Sequence, residues 1–533
     1  MRARGLVLAT TLAALGLAAA APAPVPKPEA ATVSPPVTPV DDMAVSHGRV
    51  TVDGKALAYT VHTGLIPIYD NDTGQLAARM FVIAYTLDRA PGSAPRPLTF
   101  LWNGGPGSSS SQIHLMGFGP KGFVVPDTYP EWKGQPSRLA DRPETWLTAS
   151  DLVFVDPIGT GYSRAVSEAW RDRLYTQHGD AEAVAEMIRV FRTRFDAFDQ
   201  PLFIGGESYG TTRAMEVAGA LARRRTPLSG VILISGGYDA GGRVAGPLRE
   251  ALGVSLYTAT AWHHRRLPAD LQALPQDQAV SRATAWARSD YAPALARAGE
   301  LSADERGRIA ANLARFSGVD VRLVDAKTLR LSKDTVMDAM LADRGLELGR
   351  YDSRLAIPRR APDKVWGPRE DPSLLPMIDL MEGVSPALIR YLRNDLGYRS
   401  DLLYRGPWGG SFHADPFKAT GPVLKDDWMA AMWDHSAALR PPQRDSAAEG
   451  PPEPPPLQAA MTAEPGLRVW SVEGLYDGSC AAREEAVAQT PAPLRTRVRA
   501  SCYPAGHMVY TDKAVRLQLQ KDFSAFLRGN AAR

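Results

Sequence analysis

Short apolar runs of two kinds alternate along this chain, and their periods set an architecture before any single residue does. Residues 47–61, 65–69 and 76–87 alternate apolar and polar positions, with Val-Asp-Gly-Lys and Asn-Asp-Thr-Gly among them. A period of two broken by turn residues predicts an antiparallel β-meander. Residues 97–102, 151–155, 201–205 and 230–234 are instead apolar on both faces, the pattern of strands buried within a parallel sheet. Helical patterns at 180–195 and from Thr211 onward fall between them. Strand and helix in alternation predict a doubly wound, mostly parallel α/β sheet carrying antiparallel N-terminal strands.

The period then changes. From 238 to 457 the pattern is helical, with a Ser302-x-x-Glu305 capping box opening a helix to Phe316 and a further helix at 333–344. This stretch reads as an inserted helical cap, closed by Pro441-Pro442 and the proline-rich run 451–456, which is expected to be a flexible linker or loop. Strand patterning resumes at 467–472 and 496–502, and 513–527 forms a closing amphipathic helix. The expected organisation is therefore a signal peptide at 1–20, a proline-rich leader at 21–45, a core in two parts at 46–237 and 458–533, and the cap at 238–457 between them.

At 533 residues the chain exceeds what one small core accommodates. Its formal charge of +3 on an ordinary globular composition gives no basis for a nucleic-acid or membrane-surface partner. The first 21 residues do change the picture. Arg2 and Arg4 precede an apolar stretch at 6–20 that ends in an Ala-x-Ala pattern, which predicts a signal peptide cleaved near Ala20 and a periplasmic or secreted product. Removing both arginines leaves 3 − 2 = +1. No later run is apolar enough to span a bilayer. In an oxidising compartment Cys480 and Cys502, the two cysteines of the chain, are expected to pair.

The candidate chemistry centres on Gly206-Glu207-Ser208-Tyr209-Gly210, set between a strand and a helix. A strand, a Gly-x-Ser-x-Gly turn and a helix make a nucleophile elbow, which lifts Ser208 above the sheet. A serine hydroxyl needs a base to activate it and a third group to orient that base. In this fold the order is Ser, Asp or Glu, then His. Asp477 and His507 satisfy that order, each on a glycine-bearing loop after a late strand. A Cys480–Cys502 bridge would tie those two loops together. The amide of Tyr209 supplies one donor to a tetrahedral oxyanion, and Gly105, in the glycine-rich loop after residues 97–102, supplies the second.

Trp-Asn-Gly-Gly-Pro-Gly-Ser-Ser at 102–109, Gly-Glu-Ser-Tyr-Gly at 206–210 and Gly-His-Met at 506–508 together resemble the serine carboxypeptidases, an α/β-hydrolase group. The resemblance runs from about Ala56 to the C-terminus and is weakest in the cap. It implies the same triad and oxyanion donors, and adds Asn103, Gly104 and Glu207 as the residues that bind the free C-terminal carboxylate of a peptide substrate. A carboxylic acid donates to a carboxylate only when protonated, so acidic pH is expected to favour peptide cleavage, and Glu207→Gln to weaken it more than hydrolysis of small esters. Relatives commonly carry a second glutamate where this chain has Gly117, which leaves His114 as a candidate substitute. Met508 is expected beside the leaving group.

Serines 108–111 lack an elbow, and His413-x-Asp415 lacks a third metal ligand. His263-His264 reads as a helical pair facing solvent or the cap, and residues 104–107 are no dinucleotide fingerprint, so no cofactor or metal is expected. The expected activity is that of an exported serine carboxypeptidase acting on peptides with a free C-terminus. An esterase or acyltransferase on the same machinery and a non-catalytic peptide-binding protein are the alternatives.

Overall fold

The computed structural model describes residues 43–124, 139–244, 246–359, 371, 373, 386–405 and 453–529. The expected signal peptide, nearly all of the leader, His413-x-Asp415 and Pro441-Pro442 lie outside the described residues.

Fourteen strands are present among the described residues: β1 (Ala44–Val52), β2 (Lys55–Tyr69), β3 (Leu76–Leu87), β4 (Leu98–Trp102), β5 (Lys121–Phe123), β6 (Leu139–Asp141), β7 (Asp151–Asp156), β8 (Arg164–Ala165), β9 (Leu202–Glu207), β10 (Gly230–Ile234), β11 (Leu346–Leu348), β12 (Ala356–Pro358), β13 (Arg468–Gly474) and β14 (Val498–Tyr503). Ten of them form one sheet in the order β1-β2-β3-β7-β4-β9-β10-β13-β14, with β8 beside β3. The first three strands and β7 pair antiparallel, while β7, β4, β9, β10, β13 and β14 run parallel. This is the α/β-hydrolase arrangement. The break expected within the second strand is absent: Leu65 continues β2, because its partners run unbroken from Leu87 to Met80 along β3.

Alternation along the strands divides the core into two layers. Phe100, Trp102, Ile204 and Leu233 face α2 (Gln177–Arg194) and α3 (Tyr209–Arg223), which follow α1 (Glu168–Leu174) in the chain. Leu101, Phe203, Ile232 and Trp470 face the opposite layer, formed by residues 113–118, 146–147 and the closing helix Lys513–Leu527. The central strands β4, β7, β9 and β10 are buried along their whole length, as their continuously apolar sequences predict. Burying each large side chain there stabilises the fold by about 1.5–3 kcal/mol relative to exposing it.

After β10, helices between residues 246 and 339 enclose a separate apolar core around Val254, Ala283, Leu313 and Met337. The Ser302–Glu305 capping box forms, and Gly318 ends that helix in a left-handed conformation. The helix expected at 333–344 stops at Ala339 and continues as a short 3-10 turn at Ala342–Arg344. Leu388, Tyr391, Leu392 and Tyr404 pack with Tyr59, Tyr85 and Phe81 in the main core, so part of the segment between β10 and β13 returns to the sheet. Pro455 and Pro456 start the helix Pro456–Ala463, with proline in its first turn, where the missing N–H costs nothing. No helix among the described residues is long and apolar enough to cross a membrane.

Candidate active site

The turn after β9 places Ser208 at φ 59° and ψ −127°, at the N-terminus of α3. A non-glycine residue held there costs on the order of 1–3 kcal/mol, so surrounding contacts must impose it. The flanking glycines permit it. A Cβ on Gly206 would lie 2.0 Å from the carbonyl oxygen of Gly210, and one on Gly210 would lie 3.0 Å from Cδ1 of Trp102. The Ser208 amide donates to the Ile234 carbonyl at 2.9 Å, anchoring the turn to β10.

Asp477 and His507 arrive from the loops after β13 and β14. Nδ1 of His507 pairs with Oδ2 of Asp477 at 2.7 Å. That contact leaves Nε2 as the free ring nitrogen, and Ser208, His507 and Met508 line one cavity. The main chain joins the loops, with Leu475 N–H donating to Tyr503 and Tyr476 N–H to Ala505. Cys480 and Cys502 form a disulfide, Cα–Cα 5.8 Å, as expected from the sequence. The helical insertion adds to this frame: Lys333 Nζ donates to the Asp477 carbonyl at 2.6 Å, and the His507 N–H donates to the Tyr351 carbonyl at 2.6 Å. His263 is exposed at the end of its helix, and His264 Nε2 contacts the Ser353 carbonyl at 2.7 Å within the insertion, so the pair faces solvent and the cap as expected.

Asn103, Gly104, Gly105 and Glu207 line the same cavity. The loop after β4 crosses the elbow so closely that a Cβ on Gly104 would lie 2.5 Å from the Tyr209 nitrogen. Asn103 Oδ1 accepts from the Ile113 N–H at 3.0 Å, which turns its Nδ2 toward Glu207 Oε2 at 3.1 Å. Arg213, fully buried on α3, donates to the Asn103 carbonyl at 2.8 Å and to Asp180 Oδ2 at 2.6 Å. Behind the loop, Asp156 accepts from the Ser110 N–H and hydroxyl and from Tyr404.

Two ionisable groups of this cavity are displaced upward from their ordinary values. Burial pushes Glu207 up to about 7, with Asp477 adding to the rise and His507, Tyr510 and Asn103 drawing it back. Burial disfavours charge on His507, but Asp477, through its charge and its hydrogen bond, with Glu207 and Glu473 behind, pushes the imidazole up to about 9. His114 does not take the place of a second carboxyl. Its Nε2 pairs with the Tyr85 hydroxyl at 2.8 Å, its ring stacks on Phe154, and burial lowers it to about 3. Gly117 instead borders the ring of Tyr510, whose hydroxyl donates to Glu207 Oε2.

Sequence reasoning missed Tyr510, Tyr351 and Lys333. Tyr510 lies two residues beyond Met508 and was open to notice as an aromatic on the histidine loop. Tyr351 and Lys333 sit in the insertion with no local pattern to mark them.

Residues 55–264 match the family model described as serine carboxypeptidase, which bears out the resemblance read from the motifs. Among similar proteins, the pheromone-processing carboxypeptidase KEX1 of Yarrowia lipolytica is 30% identical over 186 residues, 34% of this chain and 27% of that protein. Serine carboxypeptidase-like 51 of Arabidopsis thaliana is 34% identical over 131 residues, 24% of this chain and 25% of that protein. The chain thus spans about a quarter of the length of these relatives. The crystal structure of a prohormone-processing carboxypeptidase, Kex1Δp, from Saccharomyces cerevisiae superposes with a TM-score of 0.52 at 15% identity, covering 88% of this chain and 91% of that one, which supports the fold.

Proposed function

We propose that this chain is an exported serine carboxypeptidase that removes residues from the free C-terminus of peptides. One observation carries the reading: a strained Ser208, an Asp477-paired His507 and a buried Asn103–Glu207 pair converge on a single cavity. Ser208 Oγ attacks the last peptide carbonyl while Nε2 of His507 takes the hydroxyl proton. Asp477 holds the imidazole in the tautomer that makes this possible. The amides of Gly105 and Tyr209 face the oxyanion. The C–N bond then breaks as His507 returns the proton to the departing amine, beside Met508, leaving an acyl-enzyme on Ser208. Water attacks that ester, giving its proton to His507, and Ser208 recovers it when the acid leaves.

Asn103, Gly104 and protonated Glu207 read the terminal carboxylate. Glu207 and His507 share a proton in the intermediate protonation state of the site. A substrate carboxylate repels charge on Glu207 and so draws that proton onto it, leaving His507 neutral as a base requires. Recognition is lost as pH rises through about 7, where Glu207 ionises, so the preference for a free terminal carboxylate over its amide is greatest on the acidic side.

A fluorophosphonate should label the wild type and not Ser208→Ala, and blocked dipeptides with a free C-terminus should be cleaved while their amides are spared. An unlabelled wild type refutes the enzymatic reading. Equal hydrolysis of acids, amides and small esters points to an esterase instead.

A further inference from the structure

Glu207 is held asymmetrically. Asn103 Nδ2 donates to Oε2 at 3.1 Å, and the Tyr510 hydroxyl donates to the same oxygen. Oε1 accepts no hydrogen bond among the described residues, while Glu207 itself lines the Ser208 cavity. Tyr510 is wholly buried, its ring edge-on to Phe118 at 5.4 Å between centroids. A Cβ at position 117 would lie 3.3 Å from its Cγ, so Gly117 leaves room for the ring that aims this hydroxyl.

We infer that Tyr510 is a positioning residue that occupies Oε2 of Glu207 together with Asn103, and thereby commits Oε1 to the terminal carboxylate of the substrate. The inference deepens the proposed function and rests on it. A protonated carboxyl has one carbonyl-type oxygen that accepts and one hydroxyl that donates. Two donors on Oε2 make it the accepting oxygen, and the proton must then sit on Oε1. A phenol of ordinary acidity at this depth stays neutral, and burial and the neighbouring Glu207 push Tyr510 further from ionising. Tyr510 can therefore hold Glu207 without competing for its proton. The charged and polar groups facing Glu207 are His507 and Tyr510 from the loop after β14, Asp477 from the loop after β13, and Asn103 from the loop after β4. Of these, Tyr510 lies outside the triad, and its hydroxyl meets the Asn103 side chain as well as Glu207.

The test is binding, which separates recognition from chemistry. Isothermal titration calorimetry of Ser208→Ala and of Ser208→Ala/Tyr510→Phe is run with an N-acetylated dipeptide and with its C-terminal amide, from about pH 5 to about pH 9 to bracket a raised carboxyl. The free acid should bind Ser208→Ala tightly at low pH and weaken about tenfold per unit above pH 7, one proton being linked to binding. Phenylalanine keeps the ring and removes the donor that stabilises ionised Glu207. The midpoint should then move upward by on the order of one pH unit, with the amide indifferent to pH in both proteins. Coincident midpoints overturn the role of Tyr510. Equal binding of acid and amide by Ser208→Ala overturns the carboxylate reading itself, and this inference with it. Fluorophosphonate labelling of single Tyr510→Phe reports that the triad is intact. If that variant does not fold, Gly117→Ala, which crowds the Tyr510 ring, should shift the midpoint in the same direction, and an unmoved midpoint there also overturns the role.

Discussion

Replacing Arg213 by methionine tests whether the loop that faces Ser208 is held from behind by a buried ion pair. Arg213 and Asp180 have side-chain exposures of 0% and 1% and meet at 2.6 Å. A second guanidinium nitrogen holds the Asn103 carbonyl at 2.8 Å, one residue before Gly104 and two before Gly105. Methionine fills most of the volume but leaves Asp180 buried without its counter-charge, which costs about 3–5 kcal/mol, and orphans the Asn103 carbonyl, which adds about 1–3 kcal/mol. Burial already raises Asp180 against the opposing pull of Arg213. Without the arginine its folded-state value climbs further above the unfolded one. The folded protein then binds the proton more tightly than the unfolded chain, so the deficit is smallest near pH 4, the unfolded carboxyl value, and grows as pH rises. Urea unfolding of wild type, Arg213→Met and Asp180→Asn/Arg213→Met at about pH 4.5 and about pH 7.5, chosen to straddle that window, measures this. The single variant should lose several kcal/mol at the higher pH, and the neutral double variant should recover most of the loss. Turnover of esters and peptides should fall together, by about tenfold for each 1.4 kcal/mol of lost oxyanion stabilisation. A single-variant loss under about 1 kcal/mol, or a double variant no more stable than the single, refutes the reasoning.

Glu207→Gln lets the amide oxygen accept from Asn103 and Tyr510 and turns a permanent N–H toward the substrate. Peptide cleavage at acidic pH should weaken relative to small esters, and the ratio of free-acid to amide turnover should become flat with pH, whereas the wild-type ratio falls through about 7. Cys480→Ser/Cys502→Ser opens a 22-residue separation. It should lower unfolding stability by about 3 kcal/mol, read by urea melts under non-reducing conditions. Burial pushes Asp156 up to about 6 despite its three donors. A raised acid makes the wild type lose stability as pH rises from the unfolded carboxyl value toward 6, and Asp156→Asn should remove that slope in thermal melts across the same window.

The alternation of strands and helices along the chain, the elbow and the loops bearing Asp477 and His507 were legible because each depends on short-range rules. A period of two or of 3.6 records which faces are buried, and a Gly-x-Ser-x-Gly turn records a backbone crossing that only glycines allow. β10 spans the residues its apolar run predicts and the closing helix runs Lys513–Leu527 as its pattern requires, whereas β9 begins one residue after its apolar run and extends two beyond it, through Glu207. Pairing of Cys480 with Cys502 followed from their number and from the oxidising compartment expected of the chain. The motifs at 102–109 and 206–210 also brought Asn103 and Glu207 forward as partners, and their side chains meet.

Other features are decided by contacts between residues far apart in the chain, which no local pattern records. Residues 388–404 carry an unremarkable helical period, yet Tyr391 and Tyr404 complete the core beside Tyr85 and Asp156. Lys333 and Tyr351 reach the loops bearing Asp477 and His507 only because the insertion folds back over them. Tyr510 and Glu207 are separated by 303 positions, and neither the tyrosine nor Gly117 announces the other. The chain by itself determined which groups could perform acyl transfer, through periodicity, glycine placement and order along the sequence. Only the tertiary structure decided which oxygen of Glu207, beside the cavity, is left without a donor among the described residues, because that depends on burial and on two donors brought together from separate loops.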